Sequence, residues 1–275
     1  MNSNKLYLTY MSEFNAFCIA DDVIAANPKA EVLFRKNDYS KLGRVIFEDK
    51  PLIGFLLGRE KGFYSIDYNY AKAIVQSGVN IRFLTYENIA EQMSGLHGLI
   101  LPGGAFSSPD RFYMDGQELY EPNRRYEAYE TAIRTAENLG IPILGICAGA
   151  QMIAALHGMR LYRNVHSLTD VNHKSRELVT HNVEINQSSM LGQILGCRQI
   201  LTNSRHNEAV RTDIPSDLII CAKASDGIPE AWENEKKGIL CIQWHPEDFA
   251  AKGITQMQAI YDWLAVKALN YSLLR

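Results

Sequence analysis

The sequence predicts a mostly parallel α/β sheet flanked by helices, and three observations carry that reading. From Pro51 onward, short apolar runs alternate with longer helix-like stretches, the rhythm of βαβ units. Glycine and proline punctuate the joints, as at Gly140 and Pro142. Near the end of the chain Met257, Ile260, Tyr261 and Leu264 recur at helical spacing, which gives one apolar face to lay on the sheet.

Residues 1–50 lack a clear period. They either add a strand or helix to the domain edge or form a separate arm. Residues 52–57 read as the first strand of the main rhythm, 65–77 as a helix, and 81–84 and 99–101 as the next strands. A longer helix spans 126–139, Gly140 stops it, and 143–146 is the strand that follows. Residues 151–156 read as a short helix that Gly158 caps in a left-handed conformation. Beyond it, 179–185, 218–222, 230–233 and 239–244 alternate more like antiparallel pieces beside the sheet.

Composition narrows the partners. The chain has 275 residues, 47% hydrophobic and 21% charged, with a net charge of −3, so it carries no basic footprint for a phosphate backbone and nucleic acid is excluded as a partner. The longest apolar runs, 141–147 and 239–244, fall far short of the roughly 20 residues that cross a bilayer, and no membrane association is expected. Glu13, Asp21 and Asp22 interrupt the apolar stretch near the N-terminus, which is therefore read as mature protein and not as a secretion signal. The five cysteines form no paired spacing, which argues against a disulfide framework and a zinc–cysteine cluster and points to a reducing, cytoplasmic setting.

Cys147 stands apart from the other four. It sits in Gly145-Ile146-Cys147-Ala148-Gly149, between a buried strand and a helix start. Glycines on both sides allow the sharp turn of a nucleophile elbow, and the helix start supplies a dipole and free amides. The competing reading is a buried structural cysteine at a tight turn. A second group, Gln243-Trp244-His245-Pro246-Glu247, leaves an apolar strand. Two residues apart on extended backbone, His245 and Glu247 would share a face, so the carboxylate could orient the imidazole toward the cysteine. Leu101-Pro102-Gly103-Gly104 ends another apolar strand, and its glycines would let a backbone amide approach a reacting carbonyl.

Together these three motifs resemble the class I glutamine amidotransferase superfamily. His181-Asn182-Val183, Asn203-Ser204-Arg205-His206 and Asp226-Gly227-Ile228-Pro229-Glu230-Ala231 narrow the resemblance to its γ-glutamyl hydrolase branch, which includes the γ-glutamyl-γ-aminobutyrate hydrolases. The resemblance implies a flavodoxin-like three-layer sandwich over 51–275, with 1–50 as an N-terminal extension that could bind partners or self-associate into a homo-oligomer. It implies a triad of Cys147, His245 and Glu247, oxyanion amides at Gly104 and Ala148, and substrate contacts at Gly103, Gln151, Ser204 and His206. The activity implied is cysteine-dependent hydrolysis of a small γ-glutamyl amide, with no metal and no organic cofactor. Two departures bear on specificity: Ala148 stands where the branch usually carries arginine, and Glu208 where it usually carries glutamine. Two further readings stay open, a glutaminase subunit that delivers ammonia to a separate synthetase and a non-catalytic binding protein on the same fold.

Overall fold

Four-residue runs buried from end to end, Ile-Leu-Gly-Ile, Gly-Leu-Ile-Leu and Ile-Leu-Cys-Ile, make the middle of the sheet. Strands of this kind need cover on both faces, which is the environment of a parallel sheet between helices. The computed structural model describes residues 5–35, 38, 42, 50–104, 112–113, 124–175, 177–211 and 216–274. In chain order the strands are β1 (Lys5–Met11), β2 (Ala16–Ala20), β3 (Glu31–Phe34), β4 (Leu52–Leu56), β5 (Gly58–Glu60), β6 (Phe63–Asp67), β7 (Asn80–Leu84), β8 (Gly98–Leu101), β9 (Ile143–Ile146), β10 (Leu161–Tyr162), β11 (His181–Ile185), β12 (Gln199–Thr202), β13 (Ala209–Val210), β14 (Ile219–Ala224), β15 (Pro229–Asn234) and β16 (Ile239–Ile242). The helices are α1 (Asp21–Ala26), α2 (Tyr68–Gln76), α3 (Ile89–Gln92), α4 (Arg124–Leu139), α5 (Ala148–Leu156), α6 (Met190–Leu195), α7 (Pro246–Ala250) and α8 (Thr255–Leu273).

The main sheet runs β12-β11-β14-β15-β16-β9-β8-β4-β7-β3-β1-β2-β6-β5. Its centre, β16-β9-β8-β4-β7, is parallel throughout. Because successive strand residues point to opposite faces, Leu144, Ile146, Leu240 and Ile242 enter one core with α2, α6, α7 and α8. Ile143, Leu99, Leu101 and Ile239 enter the other with α3, α4 and α5. The result is the three-layer sandwich expected. β11, β12, β14 and β15 pair antiparallel, as their alternating pattern predicts, whereas β16, read with them from sequence, pairs antiparallel with β15 but parallel with β9 and so belongs to the centre of the sheet. The apolar face of α8 is buried through Met257, Ile260, Tyr261 and Leu264.

Three differences from the sequence reading have physical reasons. Residues 65–77 are not one helix: β6 runs to Asp67, whose carboxylate accepts from the Asn69 amide at 2.8 Å and caps α2. What holds 63–67 extended is pairing with β2, a partner some fifty residues upstream that local pattern does not reveal. The described part of residues 1–50 adds β1, β2, β3 and α1 to the same sheet, between β7 and β6. Its junction with β7, the single pairing Val32↔Phe83, is reinforced by edge-on packing of Phe34 on Phe83 at 4.6 Å and of Phe17 on Phe34 at 4.8 Å. Helix α5 begins at Ala148, three residues before the apolar run that signals it, and Gly158 follows it with the positive φ expected.

One packing contact is especially close. A Cβ at Gly149 would stand 2.2 Å from the Leu101 carbonyl oxygen, so α5 lies directly on the backbone that ends β8. We expect Gly149→Ala to lose roughly 3 kcal/mol in chemical denaturation, the upper part of the overpacking range, because backbone cannot swing aside. Gly58→Ala, whose new methyl would meet only Ser65 at 3.6 Å, should stay within about 0.5 kcal/mol of the parent.

Candidate active site

Strands β16, β9 and β8 are parallel neighbours, paired Ile242↔Ile146 and Leu101↔Gly145. Their C-terminal ends therefore fall at one level of the sheet. The segments that leave them are the three motifs that sequence reading singled out: the histidine segment, the cysteine elbow and the Pro102-Gly103-Gly104 loop. Ligand and reaction sites of open α/β sheets form at this edge.

At the elbow Cys147 has φ 50° and ψ −111°, a conformation that L-residues rarely adopt. Its amide donates to the Ile242 carbonyl at 2.7 Å, and its carbonyl accepts from the Gln151 amide at 2.9 Å, which starts α5 immediately. The flanking glycines are required by contact. A Cβ at Gly145 would come within 3.0 Å of Ala150 backbone, and Gly149 has the Leu101 contact described above. The close fit of strand, elbow and helix holds this conformation, and Cys147 lines a cavity.

His245 faces Cys147 from the neighbouring strand end. Its Nδ1 lies 2.6 Å from Glu247 Oε1. The pair does not sit on extended backbone, as the sequence reading supposed: β16 ends at Ile242, Pro246 begins α7, and His245 is the residue before that helix. Proline favours a first helical position, so the chain turns at once and brings Glu247 back under the imidazole. Burial lowers the affinity of the ring for a proton, but the Glu247 carboxylate and the facing Cys147 outweigh it and push His245 up from 6.5 to about 10. The backbone of His245 is clamped separately. Its amide donates to Asn203 Oδ1 at 2.8 Å, and Asn203 Nδ2 donates to its carbonyl at 3.0 Å and to Asp248 Oδ2 at 2.9 Å.

The third strand end closes the site. A Cβ on Gly103 would stand 2.9 Å from His245 Cε1 and 3.0 Å from Cys147 Cβ, so only glycine fits beside the pair. The Gly103 amide donates to the Tyr70 hydroxyl at 3.1 Å, and its carbonyl accepts from Arg125 at 2.9 Å. Tyr129 donates its hydroxyl to the Pro102 carbonyl at 2.7 Å. Gly104, at φ +140°, and Ala148 both line the cavity, which measures about 420 Å³. Ala148 is the first residue of α5, where the backbone N–H has no partner within the helix.

Gln151 also lines the cavity. Its side-chain amide donates to the Glu208 carbonyl at 3.0 Å and to Gln243 Oε1 at 3.1 Å. His206 is on the same wall. Ser204 is not, and this corrects the sequence reading: it is fully buried, and its hydroxyl is donated to the His173 carbonyl at 2.9 Å. Along an extended segment, Ser204 and Arg205 necessarily point to different sides, and it is Arg205 that reaches the cavity. Glu208, the glutamine-to-glutamate departure, is a wall residue whose carboxylate accepts from the Tyr113 hydroxyl. Burial pushes its carboxyl up, against the opposing effects of Tyr113 and Arg163. Sequence reasoning missed Tyr70, Tyr129, Arg125 and Asn203 as site residues. Only Asn203 carried a signal, since it heads the 203–206 motif.

Comparison with known proteins agrees with this architecture. A glutamine amidotransferase from Thermotoga maritima superposes with a TM-score of 0.57 at 12% identity, covering 81% of this chain and 99% of that one, and shows the shared fold. A glutamine amidotransferase-like protein of Rickettsia prowazekii (strain Madrid E) is 29% identical over an alignment of 266 residues, gaps included, that covers 75% of this chain and 94% of its own length. The γ-glutamyl-CDP-amidate hydrolase of Campylobacter jejuni is 26% identical over 207 residues, 74% of this chain and 76% of its own. The family model described as Peptidase C26 matches residues 58–247, a span that holds the elbow, the glycine loop, His245 and Glu247, and the chain belongs to that family.

Proposed function

We propose that this chain hydrolyses γ-glutamyl amide bonds, with Cys147 as nucleophile. The observation that carries the reading is the buried line Cys147–His245–Glu247 at the mouth of a cavity, its imidazole oriented at 2.6 Å by a carboxylate. A base held by a third group and turned on a strained thiol is the arrangement that activates a nucleophile. The similarity to a relative named for a γ-glutamyl amidate supports the acyl half of the substrate.

In the first half-reaction the Cys147 thiolate, with the proton held on His245, bonds to the γ-carbonyl carbon. The developing oxyanion is held by the amides of Gly104 and Ala148. With the Gly103 amide engaged by Tyr70, Gly104 is the loop residue whose amide serves. Collapse breaks the carbon–nitrogen bond, and His245 gives the proton to the departing amine. Water, deprotonated by His245, then attacks the thioester. Its hydroxyl joins the acyl carbon, the carbon–sulfur bond breaks, glutamate leaves, and the thiolate is restored beside protonated His245. Glu247 orients the ring through both halves. Gln151 and the oppositely charged wall residues Glu208 and Arg163 suit the zwitterionic amino-acid end of a glutamyl group. Ala148 leaves the leaving-group side without the arginine of the branch. The free state of all five cysteines agrees with a reducing, cytoplasmic setting.

The decisive experiment follows glutamate release from a panel of γ-glutamyl compounds, including glutamine, γ-glutamyl amines and γ-glutamyl peptides. Wild type should release glutamate from at least one of them, and Cys147→Ala should lose at least about a thousandfold in kcat, the scale of triad deletions. Equal release by both proteins would remove the nucleophile assignment. A second expectation concerns pH. Since His245 holds its proton more tightly in the folded protein, its stabilising share is complete below about 6.5 and is lost as pH rises through about 10. Glu247→Gln removes the strongest force that holds that proton, so the alkaline limb of the kcat/KM profile should move down by at least about one pH unit. An unmoved limb would mean that Glu247 does not act on the imidazole.

A further inference from the structure

Three sequence motifs of the second half do not meet at Cys147. They meet behind the cavity wall. His181 on β11, Glu230 on β15, His206 after β12, and His173 in the preceding loop converge on one point, and each residue is more than nine-tenths buried. His173 Nδ1 and His181 Nε2 each lie 3.2 Å from Glu230 Oε1, and His206 Nε2 lies 3.5 Å from the same oxygen. The donor atoms of His173, His181 and Glu230 are all within 4.8 Å of one another.

Tautomers decide what this arrangement wants. His173 Nε2 is 2.9 Å from Asp226 Oδ2, and a carboxylate only accepts, so this nitrogen carries the ring proton. His206 Nδ1 is 2.7 Å from the Glu208 carbonyl, which also only accepts. A ring held neutral by that bond turns a bare nitrogen lone pair toward the Glu230 carboxylate, and either a second ring proton or a bound cation relieves the contact. Among the described residues, His206 Nε2, His181 Nδ1 and Glu230 Oε2 find no hydrogen-bond partner. An outer N–H anchored on a carboxylate, as that of His173 is on Asp226, is also the support that metal-bound imidazoles have. The 3.2 Å separations of His173 Nδ1 and His181 Nε2 from Glu230 Oε1 are close to the roughly 3.3 Å between ligands held at about 2.0–2.1 Å around one Zn2+.

We propose that His173, His181 and Glu230 form a buried site for a divalent cation of the Zn2+ class, separate from the triad, with His206 Nε2 beside it at 3.5 Å from Glu230 Oε1. Such a site would tie β11 and β15 to the 173 loop, whose His173 carbonyl accepts from the His206 amide of the 203–208 segment at 2.9 Å. That segment supplies Asn203, which clamps the backbone of His245, and His206 and Glu208 of the cavity wall. No metal-binding spacing is visible in the sequence because three separate segments supply the ligands. The proposal does not depend on which bond Cys147 attacks.

The test uses the full chain, stripped with a chelator and titrated with Zn2+ alone, with Co2+ as the spectroscopic probe. One equivalent per chain should bind, and the melting temperature should rise with free Zn2+. The Co2+ form should show tetrahedral visible bands without thiolate charge transfer, and Cys147→Ala should bind as wild type does. Glu230→Gln and His181→Asn should bind at least tenfold more weakly, and Asp226→Asn, which alters only an outer anchor, about tenfold more weakly. Absence of Zn2+ uptake by wild type would overturn the proposal. So would a thiolate charge-transfer band that disappears in Cys147→Ala, since the metal would then sit on the cysteine. Neither of these outcomes requires the buried-site variants to fold.

Discussion

The in-register parallel alignment of β16, β9 and β8 is the constraint on which the rest of the molecule depends. Hydrogen bonding fixes Ile242 beside Ile146 and Gly145 beside Leu101, so three chains leave the sheet at one level. A one-residue slip in any of them would turn its apolar side chains to the wrong face and separate the cysteine from its partners. Both cores enforce the register, because each face of these strands is covered by helices. The contact of Gly149 with Leu101 then sets the depth of α5, and with it the strained φ of Cys147.

Around this frame the histidine is held twice. Its ring is fixed by Glu247, and its backbone by Asn203. Asn203 is in turn fixed by Asp248, which also accepts from Asn69 at 2.9 Å and pairs with Arg205. One buried carboxylate thereby ties the start of α2, the end of β12 and the first turn of α7 together. The glycine loop has its own brace of Tyr70, Arg125 and Tyr129, all drawn from helices on the two faces of the sheet. Position at this site thus comes from side chains on both layers, while the reacting groups come from the sheet edge.

Legibility followed the range of the interactions. Strands β8, β9 and β16 and helices α4 and α8 could be read because apolar period and glycine or proline stops are local. Residues 63–67 were misassigned because their strand state is imposed by β2, far upstream. The described part of residues 1–50 was unreadable for the same reason: its strands lie between β7 and β6, held by the β2–β6 ladder, a single backbone pairing to β7 and the packing of Phe17, Phe34 and Phe83. At the site, Cys147, His245, Glu247, Gly103 and Gly104 stood out because elbow, strand end and Gly-Gly turn have signatures a few residues long. Ser204 was placed in the cavity in error, since a segment shows its residues to a wall alternately and sequence does not say which side faces in. Tyr70 and Arg125 lie on helices whose pattern marks them only as helical residues.

By itself the sequence determined the class of fold, the cysteine elbow and the presence of a histidine and a carboxylate two residues apart, since each rests on backbone geometry over a few neighbouring residues. Tertiary structure alone decided that Glu247 reaches His245 from a helix and not from a strand, and that Asn203 holds the histidine in place. It alone decided that His173, His181, His206 and Glu230 share one buried point. Those relations span 42 residues between Asn203 and His245 and 49 between His181 and Glu230, and they are set by sheet register and packing, which no local pattern of residues encodes.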